Sequence, residues 1–99
     1  MHDRVLSMLS IAAKSGNVVS GEFSTEKAVK TGHAYLVIVS AEASGNTKKS
    51  FCNMTDFYHV PCYCYGSKEA LGRCIGKEFR ASLAVIDKGL AQAVLKKMN

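Results

Sequence analysis

Tyr35-Leu36-Val37-Ile38-Val39 is an almost unbroken run of β-branched and aromatic residues. A strand of this kind is stable only where both its faces are covered, because side chains leaving it in either direction need apolar neighbours. It therefore calls for a central strand between two other layers. The remaining sequence supplies them. Val5, Met8, Leu9 and Ala12 recur at helical spacing over residues 5–13, and Gly16-Asn17 stops that helix. Val18-Val19-Ser20 reads as a short strand, and residues 22–30 read as a second helix ended by Gly32. Glu22 and Glu26 lie early in that helix and Lys27 and Lys30 late, matching its dipole.

Beyond the central strand, residues 47–59 predict a third helix with Phe51, Met54, Thr55 and Tyr58 on one face, ended by Val60-Pro61. Cys62-Tyr63-Cys64-Tyr65 predicts a strand, and Ser67 caps a short helix bearing Leu71, Cys74 and Ile75 that Gly76 stops. Residues 82–86 predict the last strand, and residues 88–97 a final helix that buries Leu90, Ala91, Val94 and Leu95. Strands alternating with helices along the whole length predict an α/β fold with a four-stranded sheet between helical layers. The chain has 99 residues, 47% of them hydrophobic, and one proline, which fits a single domain over residues 1–99.

Several function classes are disfavoured. Residues 35–39 are far too few to span a bilayer, which takes roughly 20 residues. Met1-His2-Asp3-Arg4 leads into an interrupted amphipathic pattern without the apolar core of a signal peptide, so a cytoplasmic location is expected. The cysteines Cys52, Cys62, Cys64 and Cys74 are expected to be reduced thiols, acting as small buried hydrophobes. Cys62-x-Cys64 has no partner pair at zinc-type spacing, and His2, His33 and His59 are scattered, so neither a metal nor another cofactor is expected. Asp56, His59 and Cys62 lack the arrangement of nucleophile, base and orienting group that catalysis needs, and no enzymatic activity is expected.

The net charge of +5 favours a polyanionic partner. Residues 1–50 carry +2 and residues 51–99 carry +3, so any basic patch must be assembled by folding. Two segments are candidates. At the second helix, Gly21 permits close backbone approach, helix-start N–H groups point outward, and Lys27 and Lys30 follow one and two turns on. The alternative there is a plain turn. The second segment, residues 72–81, joins Arg73, Lys77 and Arg80 to the aromatic Phe79, a combination suited to irregular or single-stranded RNA. Its alternative is a solvated turn with Phe79 tucked into the core.

The two segments, with residues 34–43, Val60-Pro61, Ser67-Lys68-Glu69-Ala70-Leu71-Gly72 and residues 81–89, resemble in order and spacing the kink-turn-binding ribosomal protein superfamily of the L-seven-Ae and L-thirty-e type. Ser44-Gly45-Asn46-Thr47-Lys48-Lys49 and Leu71-Gly72-Arg73-Cys74-Ile75-Gly76-Lys77 are most similar to its short bacterial ribosomal-like branch. The resemblance implies a three-layer α-β-α sandwich with a mixed four-stranded sheet. It also implies RNA bound across the start of the second helix and the loop before the last strand. The family motif there reads Gly-x-Asn-Glu-x-x-Lys, its Asn and Glu reading guanine edges in sheared G·A pairs. Gly21 and Lys27 match, whereas Phe23 and Ser24 stand in the Asn and Glu places. Phenylalanine has no edge hydrogen bond to offer, and a serine hydroxyl reaches less far than a carboxylate. Phe23 either stacks on a splayed base or closes the interface with the first helix.

The expected function is thus non-enzymatic binding of structured RNA, ribosomal or otherwise non-coding, through Gly21, Phe23, Ser24, Lys27, Lys30, Arg73, Lys77, Phe79, Arg80 and Ala81. Ribosomal or RNA-processing proteins are further candidate partners. The alternative is a protein-interaction adaptor on the same fold, with Phe23 and Phe79 as its apolar contacts.

Overall fold

The computed structural model describes residues 3–98, so the reading of Met1-His2 as a lead-in to the first helix falls outside the described residues, as does Asn99. The elements run α1 (Arg4–Lys14), β1 (Val18–Ser20), α2 (Glu22–Lys30), β2 (Leu36–Val39), α3 (Gly45–Phe57), β3 (Cys62–Cys64), α4 (Lys68–Cys74), β4 (Ser82–Val85) and α5 (Lys88–Met98). The strands form one sheet in the order β1-β4-β2-β3. β2 and β3 are parallel, and β4 runs antiparallel to both β1 and β2, giving the mixed sheet of the α-β-α sandwich.

The central strands explain why this sheet needs helices on both faces. All four residues of β2 and of β4 are buried. Leu36, Ile38, Leu83 and Val85 point one way and pack with Val5, Leu9 and Ala12 of α1, Leu71 of α4, and Ala91 and Val94 of α5. Val37, Val39 and Ala84 point the other way, into a core completed by Ala28, Val29 and Phe51 from α2 and α3. The two-residue period of the strand thus divides one apolar run between two cores.

Helix ends follow local chemistry. Asp3, Ser44 and Ser67 cap α1, α3 and α4 by accepting from the N–H groups of Leu6, Thr47 and Ala70. Gly16, Gly32 and Gly76 take positive φ just past α1, α2 and α4, closing the six-to-one hydrogen bonds of Schellman ends. α3 ends the same way with His59 in the glycine's place, at φ 60°.

Several expectations are corrected at this level. α3 begins at Gly45, two residues before the expected start, because Ser44 accepts from Thr47 N–H and draws Gly45-Asn46 into the first turn. It ends before His59, and Tyr58, expected on the buried face, is 40% exposed and packs edge-on against Phe57. Tyr35 lies outside β2 and is 43% exposed. Leu90 and Leu95 are half-buried, flanking rather than joining the buried Ala91 and Val94. The cysteines are not fully buried hydrophobes either: Cys52 and Cys64 are exposed, while Cys62 and Cys74 are half-buried and carry free thiols.

Candidate nucleic-acid interface

Because β1, β2 and β3 run in parallel and β4 opposes them, the segments leaving the first three strands meet the segment entering the fourth at one end of the sheet. A dense set of hydrogen bonds joins them. Gly21 N–H donates to Ser82 O at 3.0 Å, and Ser40 N–H donates to Ala81 O at 2.8 Å. The Ser40 hydroxyl donates to Gly66 O at 3.0 Å. Glu42 accepts from Lys68 N–H at 2.9 Å, and Arg80 N–H donates to Lys68 O at 3.0 Å. Ser40, Glu42 and Lys68 were not among the expected site residues. A polar residue directly after a buried strand is the signal Ser40 offered, but its partners lie far away in sequence.

Arg80 makes the connection that matters most. Its Nε donates to the Ser20 hydroxyl at 2.9 Å and its Nη1 to Phe79 O at 2.7 Å. The side chain therefore spans from the loop before β4 to the β1–α2 junction, 60 residues earlier. Gly72 sets the position of the same loop from below, since a Cβ there would lie 2.3 Å from Glu78 O. Gly21 caps α2 at φ 92° and ψ 158°, a conformation essentially reserved for glycine, and offers no side-chain cap.

Phe23 and Phe79 project from this end of the molecule, 77% and 60% exposed. The expected alternatives of closing the helix-one interface, for Phe23, and filling the core, for Phe79, are thereby overturned. Lys77 is exposed in the same loop as Phe79, and Ala81 is half-buried. Ser24 and Lys27 share with Phe23 a shallow hollow of about 360 Å³, completed by Val19, Ala28, Thr31, His33 and Ile86. Four-residue spacing puts Phe23, Lys27 and Thr31 on one flank of α2, a signal that the joint reading of Lys27 and Lys30 passed over.

Lys30 and Arg73 stand elsewhere. Lys30 lies on the opposite flank of α2, 2.6 Å from Glu26, which with its Coulombic pull raises the lysine's pKa. Around it lie Glu22, Ser50, Phe51 and Met54. Arg73 pairs with Glu69 at 3.2 Å and shares a hollow with Lys14 on the α1–α4 side. Among the described residues, no group of three or more His, Cys, Asp or Glu side chains is placed to hold a metal ion, and no helix is long and apolar enough to cross a membrane.

Residues 3–95 match the family model described as ribosomal protein L7Ae/L30e/S12e/Gadd45 family. The RNA-binding protein YlxQ of Bacillus subtilis (strain 168) is 36% identical over 92 residues, covering 93% of this chain and 92% of that protein. Large ribosomal subunit protein eL30 of Methanoregula boonei is 35% identical over 80 residues, covering 79% of each. A solved structure of a protein of unknown function from Bacillus halodurans C superposes with a TM-score of 0.94 at 33% identity, over 98% of both chains.

Proposed function

The chain belongs to the ribosomal protein L7Ae/L30e/S12e/Gadd45 family, and from that premise we propose that it binds structured RNA at the sheet end where α2 begins. The bridge from Arg80 to Ser20 carries this reading, because it makes one continuous surface of two segments far apart in sequence. On that surface Gly21 lets the RNA backbone approach, and Lys27, Lys77 and Arg80 meet phosphates as cations. Phe23 and Phe79 offer faces to unpaired bases, and Ser24 and Ala81 shape the surface between them. Lys30 and Arg73, held by Glu26 and Glu69 on other faces, have secondary parts at most.

Without the Asn and Glu of the family motif, base-edge reading of sheared guanines is not part of the proposal. Affinity instead comes from phosphate neutralisation and stacking, and the RNA is ribosomal or another structured non-coding species. The names of the matched relatives, an RNA-binding protein and a large-subunit ribosomal protein, support this partner class. Non-enzymatic action in the cytoplasm, close to ribosomal or RNA-processing proteins, is the matching role.

Filter binding to a structured RNA hairpin tests the proposal. Arg80→Ala is expected to weaken binding several-fold at low salt and to flatten its salt dependence, each lost phosphate contact removing about one unit of log–log slope. No binding at low salt, or binding indifferent to both Lys27→Ala and Arg80→Ala, contradicts it. The exposure of Phe23 and Phe79 also suits a protein-interaction adaptor. A pull-down that survives nuclease and is lost in Phe23→Ala selects that second reading.

A further inference from the structure

Three of the four cysteines lie at the contact between α3 and the edge strand β3. Residues two apart on a strand share a face, so Cys62 and Cys64 point to the same side of the sheet. That side is the α3 side, because Cys62 packs against the core that Phe51 of α3 helps to build. Cys52 follows Phe51 on the helix and is exposed, as is Cys64, while Cys62 is half-buried. Thr55 is buried, its hydroxyl shared between Phe51 O at 2.7 Å and Cys52 O at 3.2 Å. That hydroxyl and the Cys52 thiol are hydrogen-bonding neighbours of the Cys62 thiol, and Cys64 lies close enough for its charge to be felt there.

The fourth cysteine supplies a contrast. Cys74 is also half-buried, but it packs in the other core, donates to Leu71 O at 3.2 Å and has Asp3 as its charged neighbour. Burial raises both Cys62 and Cys74 to about 11, yet only Cys62 has a second thiol beside it.

Strand geometry selects the partner. Side chains two residues apart on one strand leave it about 6.5–7 Å apart. A disulfide needs Cβ atoms about 4 Å apart, so Cys62 and Cys64 cannot join without distorting β3. Cys52 reaches Cys62 from the helix and is free of that constraint.

We propose that Cys52 and Cys62 form a reversible dithiol–disulfide site that fastens α3 to the edge strand β3. The oxidant is a small-molecule disulfide. Cys52, the exposed member, gives up its proton and attacks one sulfur of that disulfide, forming a mixed disulfide and expelling a thiolate that takes up the proton. Cys62 then gives up its proton and attacks the Cys52 sulfur, expelling the second thiol. Two protein thiols are oxidised, and one disulfide is reduced to two thiols. Stabilised thiolates are what make a protein disulfide strongly oxidising, and burial of Cys62 disfavours its thiolate. The bridge, once formed, is therefore expected to persist until a reductant is added.

The test treats the reduced full-length protein with glutathione disulfide, alkylates the remaining thiols and digests with chymotrypsin. Cleavage after Phe57, Tyr58 and Tyr63 puts Cys52, Cys62 and Cys64 on separate peptides for mass analysis. The expected main product joins the Cys52 and Cys62 peptides with loss of both thiol hydrogens, while Cys74 stays a thiol. Dithiothreitol is expected to reverse it, Cys64→Ser to leave it unchanged and Cys52→Ser to abolish it. In urea, where the contact between α3 and β3 is lost, Cys52 is expected to divide between Cys62 and Cys64. Glutathione adducts without an internal bridge overturn the proposal. So does a native product that divides Cys52 between Cys62 and Cys64 as the unfolded chain does.

Discussion

A Cβ on Gly72 would meet the backbone of Glu78 and Phe79 at 2.3 to 2.8 Å, contacts that side chains do not make. The helix would gain from alanine at this position by about 1 kcal/mol, but the clash is with backbone that must move as a unit. Gly72→Ala is therefore expected to lower stability by about 1–3 kcal/mol in chemical denaturation. It is also expected to weaken RNA binding by shifting Lys77, Phe79 and Arg80 together. The opposite sign is expected at His59, whose φ of 60° costs an L-residue about 1 kcal/mol. His59→Gly should raise stability by that amount, read from the same denaturation curves. Sequence revealed the glycine stops at 16, 32 and 76 because glycine advertises a left-handed position, whereas histidine at 59 does not. The thiols separate just as sharply. Burial pushes Cys62 and Cys74 up to about 11, so at pH 8 a thiol reagent should label the exposed Cys52 and Cys64 first.

At the scale of elements, α1 depends on the residue before it for more than a cap. Asp3 accepts from Leu6 N–H at 3.0 Å and from the Tyr65 hydroxyl at 2.7 Å, tying the helix to the segment after β3. Desolvation pulls the Asp3 pKa upward, but hydrogen bonds from Leu6, Tyr65 and Val5 outweigh it and hold the carboxyl below its ordinary value. A folded pKa below the unfolded one means that the carboxylate form is favoured by folding. The contribution is present above about pH 3.9 and is lost as pH falls through the lower folded value. Asp3→Ala should cost about 1 kcal/mol at neutral pH, with the difference from wild type narrowing below about pH 4 in acid unfolding. Elements of this kind were legible because their signals are local: an apolar run at 35–39, a cap at Ser67, an apolar stretch at 82–86. The start of α3 and the exposure of Tyr58 were not, because they depend on which face meets the sheet.

Across the whole molecule, the charge of +5 is spread almost evenly along the chain and is sorted only by folding. The β1–β4 pairing brings residue 20 beside residue 80, so the surface bearing Gly21, Phe23, Lys27, Lys77, Phe79 and Arg80 exists only in the folded sheet. Each of its two segments could be singled out in the sequence by glycine, basic and aromatic residues. Their union needed the strand order, and the placement of Lys30 and Arg73 on other flanks, beside Glu26 and Glu69, needed the folded structure. Lys27 and Lys30 are the sharpest contrast, being of equal charge on one helix and facing opposite flanks. The salt dependence of affinity for a structured RNA, measured for wild type, Lys27→Ala and Lys30→Ala, therefore tests the proposed surface most directly. The predicted result is a slope reduced by about one in Lys27→Ala and unchanged in Lys30→Ala; equal slopes in all three proteins, or a loss confined to Lys30→Ala, would contradict it.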